Sequence, residues 1–210
     1  MIKIGLCGAG GTGKGTLAKE IEKIFPEIKM IPSSVQRIGR MLYPNSKSYK
    51  DINFNERVVF QNSALIAQAE NEKILSENGI SYISERSLID FLPYMYRASM
   101  LYGRMPTYFK YVDTIQKYLV SNPYDILFYI PYDDFELSED NIRNNSWKER
   151  NQEDRKKTDT YIREYLDPSS EEYSFIPENI KNIVSISGTL EERTKTATKN
   201  IEKFLDERQN

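Results

Sequence analysis

Histidine is absent from the 210 residues, and cysteine occurs once, as Cys7. Without imidazole there is no Ser-His-Asp or Cys-His nucleophilic arrangement, no His-ligated zinc and no imidazole acid–base catalysis. One cysteine cannot close an internal disulfide. The opening MIKIGLCGAG has neither the basic stretch followed by a long apolar region nor the small-residue cleavage site of a secretory signal, so a reducing cytoplasm is the expected compartment. No apolar run approaches the ~18 residues of a membrane span. An excess of one charge is also missing: 29 Lys+Arg against 31 Asp+Glu leave −2, which gives no electrostatic footprint for nucleic acid. Neither an internal repeat nor a low-complexity linker divides the chain, and the length suits one domain over 1–210 with an inserted lid. What remains for chemistry is carboxylates, Lys, Arg, hydroxyls and backbone amides. A hydrophobic content of 39%, with 15 Tyr and 9 Phe, suffices for a core.

Short apolar runs alternate with helical patterns. Ile2 to Cys7 reads as a strand and passes into Gly8-Ala9-Gly10-Gly11-Thr12-Gly13-Lys14-Gly15-Thr16. A helix follows, with Leu17, Ile21, Ile24 and Phe25 on one face and Pro26 as its stop. Further strands are expected at Ile28–Pro32, Ile80–Ser84, Asp125–Pro131 and Asn182–Ser187. Further helices are expected at Asn55–Glu77, with Val58, Leu65, Ala69 and Ile74 on one face, and at Leu88–Tyr102, Tyr108–Val120 and Leu190–Leu205. Continuous apolar strands between helices indicate an α/β fold whose parallel sheet of about five strands is covered on both faces. The polar, cationic segment Glu136–Lys157 reads as a mobile lid running into a helix that ends at Leu166.

The spacing from Gly8 to Lys14 fits a phosphate-binding loop, in which backbone N–H groups and a helix N-terminus surround a polyphosphate and the lysine reaches its outer phosphates. The strict pattern has Ser or Thr directly after the lysine; here Gly15 intervenes and Thr16 follows. The run GAGGTGKGT resembles the phosphate loop of adenylate kinases and other nucleoside monophosphate kinases. ISERSLIDFLPY is similar to the acidic-Arg strand end of thymidylate and deoxynucleoside kinases. Asp140-Asn141-Ile142-Arg143, followed by Arg155, Asp159, Ile162 and Leu166, resembles the lid and helix of a P-loop kinase group that includes nicotinamide riboside kinase domains and phage or bacterial deoxynucleotide kinases. The resemblance implies a three-layer P-loop NTPase fold with sheet order 2-3-1-4-5, ATP as phosphoryl donor and Mg²⁺ as its ion.

Phosphoryl transfer depends on positioning and charge neutralisation, which lysine, arginine and a metal supply. Gly8, Gly10, Gly11, Thr12, Gly13, Lys14, Gly15 and Thr16 are the expected ATP-binding residues. Lys14, Arg86, Arg143 and Arg155 are the expected catalytic cations, with Arg150 a weaker member of the lid group. Thr16 and Glu85 are the expected metal residues. Arg37, Asp90 and Arg97 are expected at the acceptor, Asp90 from the helix after the third strand. Trp147 is read as an anchor of the closed lid, and the aromatic stretch Pro93–Tyr111 either holds a base or packs on the sheet.

A nucleoside acceptor requires a base to take its hydroxyl proton. The end of the second strand, Pro32-Ser33-Ser34, carries no carboxylate there, whereas Arg37 and Arg40 lie just beyond. This favours an anionic (deoxy)nucleoside monophosphate, with nucleoside or nicotinamide riboside as the alternative. A P-loop ATPase or switch without a small acceptor is a further alternative, supported only by Asp133-Asp134 after an apolar strand; the Asn-Lys-x-Asp segment of a GTPase is missing. A small nucleotide is the expected partner and a homodimer is left open, whereas nucleic acid and membrane are not expected.

Overall fold

The computed structural model describes residues 1–46, 51–132, 152–170, 173 and 175–208. Five strands, β1 (Lys3–Cys7), β2 (Lys29–Ile31), β3 (Tyr82–Ser84), β4 (Ile126–Tyr129) and β5 (Asn182–Ser185), form one sheet in the order β2-β3-β1-β4-β5. Every pairing is parallel, with Gly5 opposite Ser84 on one side and Leu127 on the other. The order is the expected one. It places the C-terminal ends of β1 and β3 side by side, and those ends carry the glycine loop and Glu85-Arg86.

Alternation along the strands sends side chains to opposite layers. Ile4, Leu6, Ile83, Ile126 and Phe128 pack in an aliphatic layer with Leu17, Ala18 and Ile21 of α1 (Lys14–Ile24) and Ala197, Ile201 and Phe204 of the closing helix, Leu190–Glu207. Cys7, Tyr82, Leu127 and Tyr129 face a larger, tyrosine-rich layer. That layer contains α2 (Ser34–Leu42), α3 (Phe54–Glu77), α4 (Leu92–Leu101), α5 (Met105–Ser121), α6 (Gln152–Leu166) and the short α7 (Phe175–Glu178); the closing helix is α8. Among the described residues, no helix is long and apolar enough to cross a membrane.

Several expectations from the sequence need correction. The helix expected over Leu88–Tyr102 is a 3-10 turn, Leu88–Phe91, followed by α4. Pro93, which has no N–H to donate, occupies the first turn of α4 and so marks its start. Asp90 therefore sits in the turn, not on the helix. Pro106 does the same for α5, which begins at Met105 rather than Tyr108. The helix α2 was not expected from the sequence. Ile24 of α1 is exposed, and so is Ile74 of α3, whose buried side carries the polar Gln61, Gln68 and Glu72 along with Phe60, Ala64, Leu65 and Ala69. Of the segment read as a lid, 152–157 form the first turns of α6; Arg143, Trp147 and Arg150 lie outside the described residues, as do Asp133 and Asp134.

Candidate active site

The loop after β1 turns into α1 at Gly13, whose φ of +86° lies in the left-handed region that favours glycine. Among the described residues, neither the Gly11 nor the Gly13 N–H has a protein acceptor. These two donors sit at a helix N-terminus, where the partial charge is positive. The loop carbonyls, in contrast, are held by cations. The Lys14 ammonium donates to the carbonyls of Gly8 and Ala9, the latter at 2.8 Å. Arg155 Nε donates to Gly10 O at 2.7 Å, and Arg193 Nη1 to Thr12 O at 2.7 Å.

Asp90 braces the start of the loop. Its Oδ1 accepts the Gly8 N–H at 3.0 Å, and its Oδ2 lies 3.4 Å from the Lys14 ammonium. Both side chains are buried, Asp90 almost completely. A buried carboxylate requires such a partner, and removing one member of the pair strands the other. Cys7, at the end of β1, is wholly buried, and burial followed by the nearby Asp90 carboxylate pushes its thiol well up; it packs as a small apolar residue.

Gly15 explains why the hydroxyl is displaced by one position. A Cβ on Gly15 would come within 2.8 Å of Glu85 Oε1. The half-buried Glu85 carboxylate thus occupies the space beside the first turn of α1, and its other oxygen accepts the Ser33 N–H at 3.0 Å. Thr16 is exposed one residue further on. Next to Glu85, the Arg86 guanidinium is buried between the rings of Phe91 and Tyr94, at 5.5 and 5.4 Å, with Nη1 3.5 Å from the Asp90 carbonyl oxygen. Lys14, Glu85, Arg86 and Asp90, together with Arg155, are therefore gathered at one sheet edge. Ligands of open α/β sheets bind at this carboxyl edge.

Arg97 faces the same Tyr94 ring as Arg86, its guanidinium 5.4 Å from the ring centre. Arg37 is exposed one turn into α2. Arg97 is bound to Asp154 at the start of α6, donating to its main-chain oxygen at 3.2 Å and lying 3.5 Å from its carboxylate. Arg155 is stacked over Tyr132 at 4.4 Å and almost wholly buried. In the aromatic stretch, Tyr108 is a core residue whose hydroxyl meets those of Tyr165 and Tyr173 at 3.3 and 3.1 Å. Tyr102 is exposed, with the Arg57 guanidinium 5.6 Å from its ring centre.

Two features escaped sequence reading. One is Arg193, contributed by α8. The other is a buried network behind Glu85-Arg86: Ser84 Oγ donates to Glu72 Oε1 at 2.6 Å, Tyr124 OH bonds the same carboxylate at 3.0 Å, and Gln68 donates to Ser84 at 2.8 Å. Gln68 also accepts the Ser34 N–H at 3.0 Å, which fixes the start of α2. Burial pushes the Glu72 carboxyl up to about 7, against the hydrogen bonds from Ser84, Tyr124 and Gln68, which pull it down. Polar residues spaced for the inner face of α3 were the available signal.

A parallel 2-3-1-4-5 sheet with a glycine loop between its central strand and first helix defines the P-loop NTPase kinase fold. Solved structures agree. The chain is similar to a deoxyadenosine kinase from M. mycoides with bound dATP, at 18% identity and a TM-score of 0.62, with 98% of this chain and 100% of that one covered. The same enzyme with dCMP and dCDP gives the same figures. A NadR protein in complex with NR is similar at 12% identity and a TM-score of 0.57, over 86% of this chain and 43% of that one. The chain belongs to the AAA domain family, whose model matches residues 3–193. No curated protein sequence matches it.

Proposed function

We propose that the protein is an ATP-dependent phosphotransferase that moves the γ-phosphoryl group to a small nucleotide, a (deoxy)nucleoside monophosphate before others. The observation that carries this reading is the convergence at one sheet edge of the Gly11 and Gly13 N–H donors, Lys14, Glu85 and Arg86. Lys14 would exchange its loop carbonyls for the outer phosphates, and the loop N–H groups would hold the phosphate oxygens. Arg86, held between two rings, would face the bridging position between donor and acceptor. Arg143 would add charge from the lid.

Mg²⁺ suits the donor set here. Thr16 offers a hydroxyl and Glu85 a carboxylate, the hard oxygen donors it takes, and Gly15 leaves the carboxylate room beside α1. Among the described residues there is no cluster of three or more metal-ligating side chains, and Mg²⁺ held by one or two carboxylates plus phosphates does not need one. When bound, the ion would offset charge on the phosphate oxygens.

The absence of a carboxylate at Ser33-Ser34 and the exposed cation at Arg37 favour an acceptor that is already anionic. The nucleoside reading has its own support: Glu85 is a half-buried carboxylate beside the Ser33 N–H that would serve as the base, and the similar structures are a deoxyadenosine kinase and a NadR protein in complex with NR. A coupled assay with Mg-ATP and a panel of nucleosides and their monophosphates tests both. Turnover of monophosphates is expected. Turnover of nucleosides alone replaces the first reading with the second, and full-rate ATP hydrolysis without acceptor overturns both.

A further inference from the structure

We propose that Arg193, a residue of the closing helix, is a positioning residue of the phosphate loop that orients the Gly13 N–H toward the bound polyphosphate. The inference rests on the phosphotransferase reading and deepens it. The chain contains no cis peptide among the described residues, and in a trans peptide the carbonyl and the N–H of one plane point in opposite directions. Thr12 O and the Gly13 N–H share such a plane. Pulling the carbonyl outward therefore turns the amide inward, and Arg193 Nη1 holds that carbonyl at 2.7 Å.

The position of Arg193 is firmly set. Thr189 and Glu192 form a capping box: the Thr189 N–H donates to Glu192 Oε2 at 2.8 Å, and the Glu192 N–H donates to Thr189 Oγ1 at 3.3 Å. This fixes the rotation of the first turn of α8. Further along, Ala197, Ile201 and Phe204 dock α8 against Leu17, Ala18 and Ile21 of α1. Arg193 is 6% exposed, and its Nη1 would be 3.3 Å from a Cβ at Gly13, so a side chain there would crowd the contact. Arg155 does the same from the opposite side through Gly10 O, whose peptide carries the Gly11 N–H. Two arginines from two helices thus grip alternate carbonyls of the loop, and the N–H groups of both gripped peptides, those of Gly11 and Gly13, have no protein acceptor among the described residues. A loop held in this way does not have to rearrange when the anion arrives. Two buried cations also raise the potential in the cradle.

The test is calorimetric binding of Mg-ATP and of inorganic tripolyphosphate to wild type, Arg193→Gln and Arg193→Lys, with steady-state kinetics on both substrates. Arg193→Gln should weaken both ligands by the same factor, on the order of tenfold for a lost charged hydrogen bond. The acceptor KM should not change, and Arg193→Lys should recover most of the loss. A folded Arg193→Gln protein with wild-type affinity and only a lower melting temperature overturns the inference, because α8 is then merely a structural prop. If Arg193→Gln does not fold, the wild-type Gly13 amide resonance decides: it should move downfield on adding tripolyphosphate, and an unmoved resonance overturns the inference. Wild-type protein that binds neither ligand overturns the phosphotransferase reading as well.

Discussion

Two neighbouring regions at the carboxyl edge of the sheet handle polar groups in opposite ways. In the loop from Gly8 to Thr16 the residues are contiguous, and the carbonyls are held by Lys14, Arg155 and Arg193 while N–H donors remain for a ligand. Behind Glu85-Arg86, the groups come from Ser34, Gln68, Glu72, Ser84 and Tyr124, far apart in the chain, and they bond one another. The first region leaves N–H donors without protein acceptors among the described residues; the second uses its hydrogen bonds to fix where β2, β3, α2 and α3 meet. Buried polar groups are costly unless paired, so reserved donors point to a ligand and a closed network points to positioning. Glu85 joins the two, with one oxygen toward Gly15 and the other on the Ser33 N–H.

Breaking the first region should have the largest effect. Lys14→Met is expected to lower phosphoryl transfer by on the order of 10²–10³. It should also destabilise the fold by about 3 kcal/mol, because it leaves Asp90 buried without its cation. Adding Asp90→Asn should restore the stability and not the activity. A single variant that keeps its activity contradicts the site assignment, and a double variant that regains transfer does the same.

The second region should respond to pH. The folded-state pKa of Glu72 is raised from its ordinary 4.5 to about 7, so its contribution to stability is fully present below about 4.5 and is lost as pH rises through 7. At ~1.4 kcal/mol per unit, wild type should lose about 3 kcal/mol across that window relative to Glu72→Gln, which cannot ionise. Denaturant titrations at several pH values measure this. Parallel curves for the two proteins would show that Glu72 does not change charge there.

The smallest effect belongs to the junction. Gly15→Ala places a methyl 2.8 Å from Glu85 Oε1, and the end of a side chain can yield, so the stability change should stay within about 0.5 kcal/mol. Displacing the carboxylate should still lower kcat about tenfold, with KM for ATP little changed. An unaltered kcat would remove Glu85 from the reacting centre.

The same contrast explains what the sequence made legible. The strand, glycine loop and helix at β1–α1 could be read directly because one uninterrupted run of residues carries them and a hydrophobic period of 3.6 follows. The order of the sheet came from the resemblance those residues carry. The inner face of α3 was legible only in part: Leu65 and Ala69 are buried and Val58 packs on the core as spaced, but Ile74 points to solvent and the same buried side also carries Gln61, Gln68 and Glu72, which apolar spacing does not find. The helix α2 gave no signal, since its first residue is held by Gln68 from 34 positions away rather than by a local cap. Asp90 was picked out, but its partners were not: the Gly8 N–H that it accepts is 82 positions earlier.

By itself, then, the sequence determined that no imidazole is available, and that a glycine loop ending in a lysine opens a helix. Those are properties of residue type and near-neighbour spacing, which a chain carries before it folds. Only the tertiary structure decided that Arg97 pairs with Asp154, that Asp90 braces Lys14, and that an arginine 181 positions from Thr12 grips the loop's outer face. Such contacts depend on how helices dock on a sheet, and docking is set by the summed packing of two cores, which no local run of residues encodes.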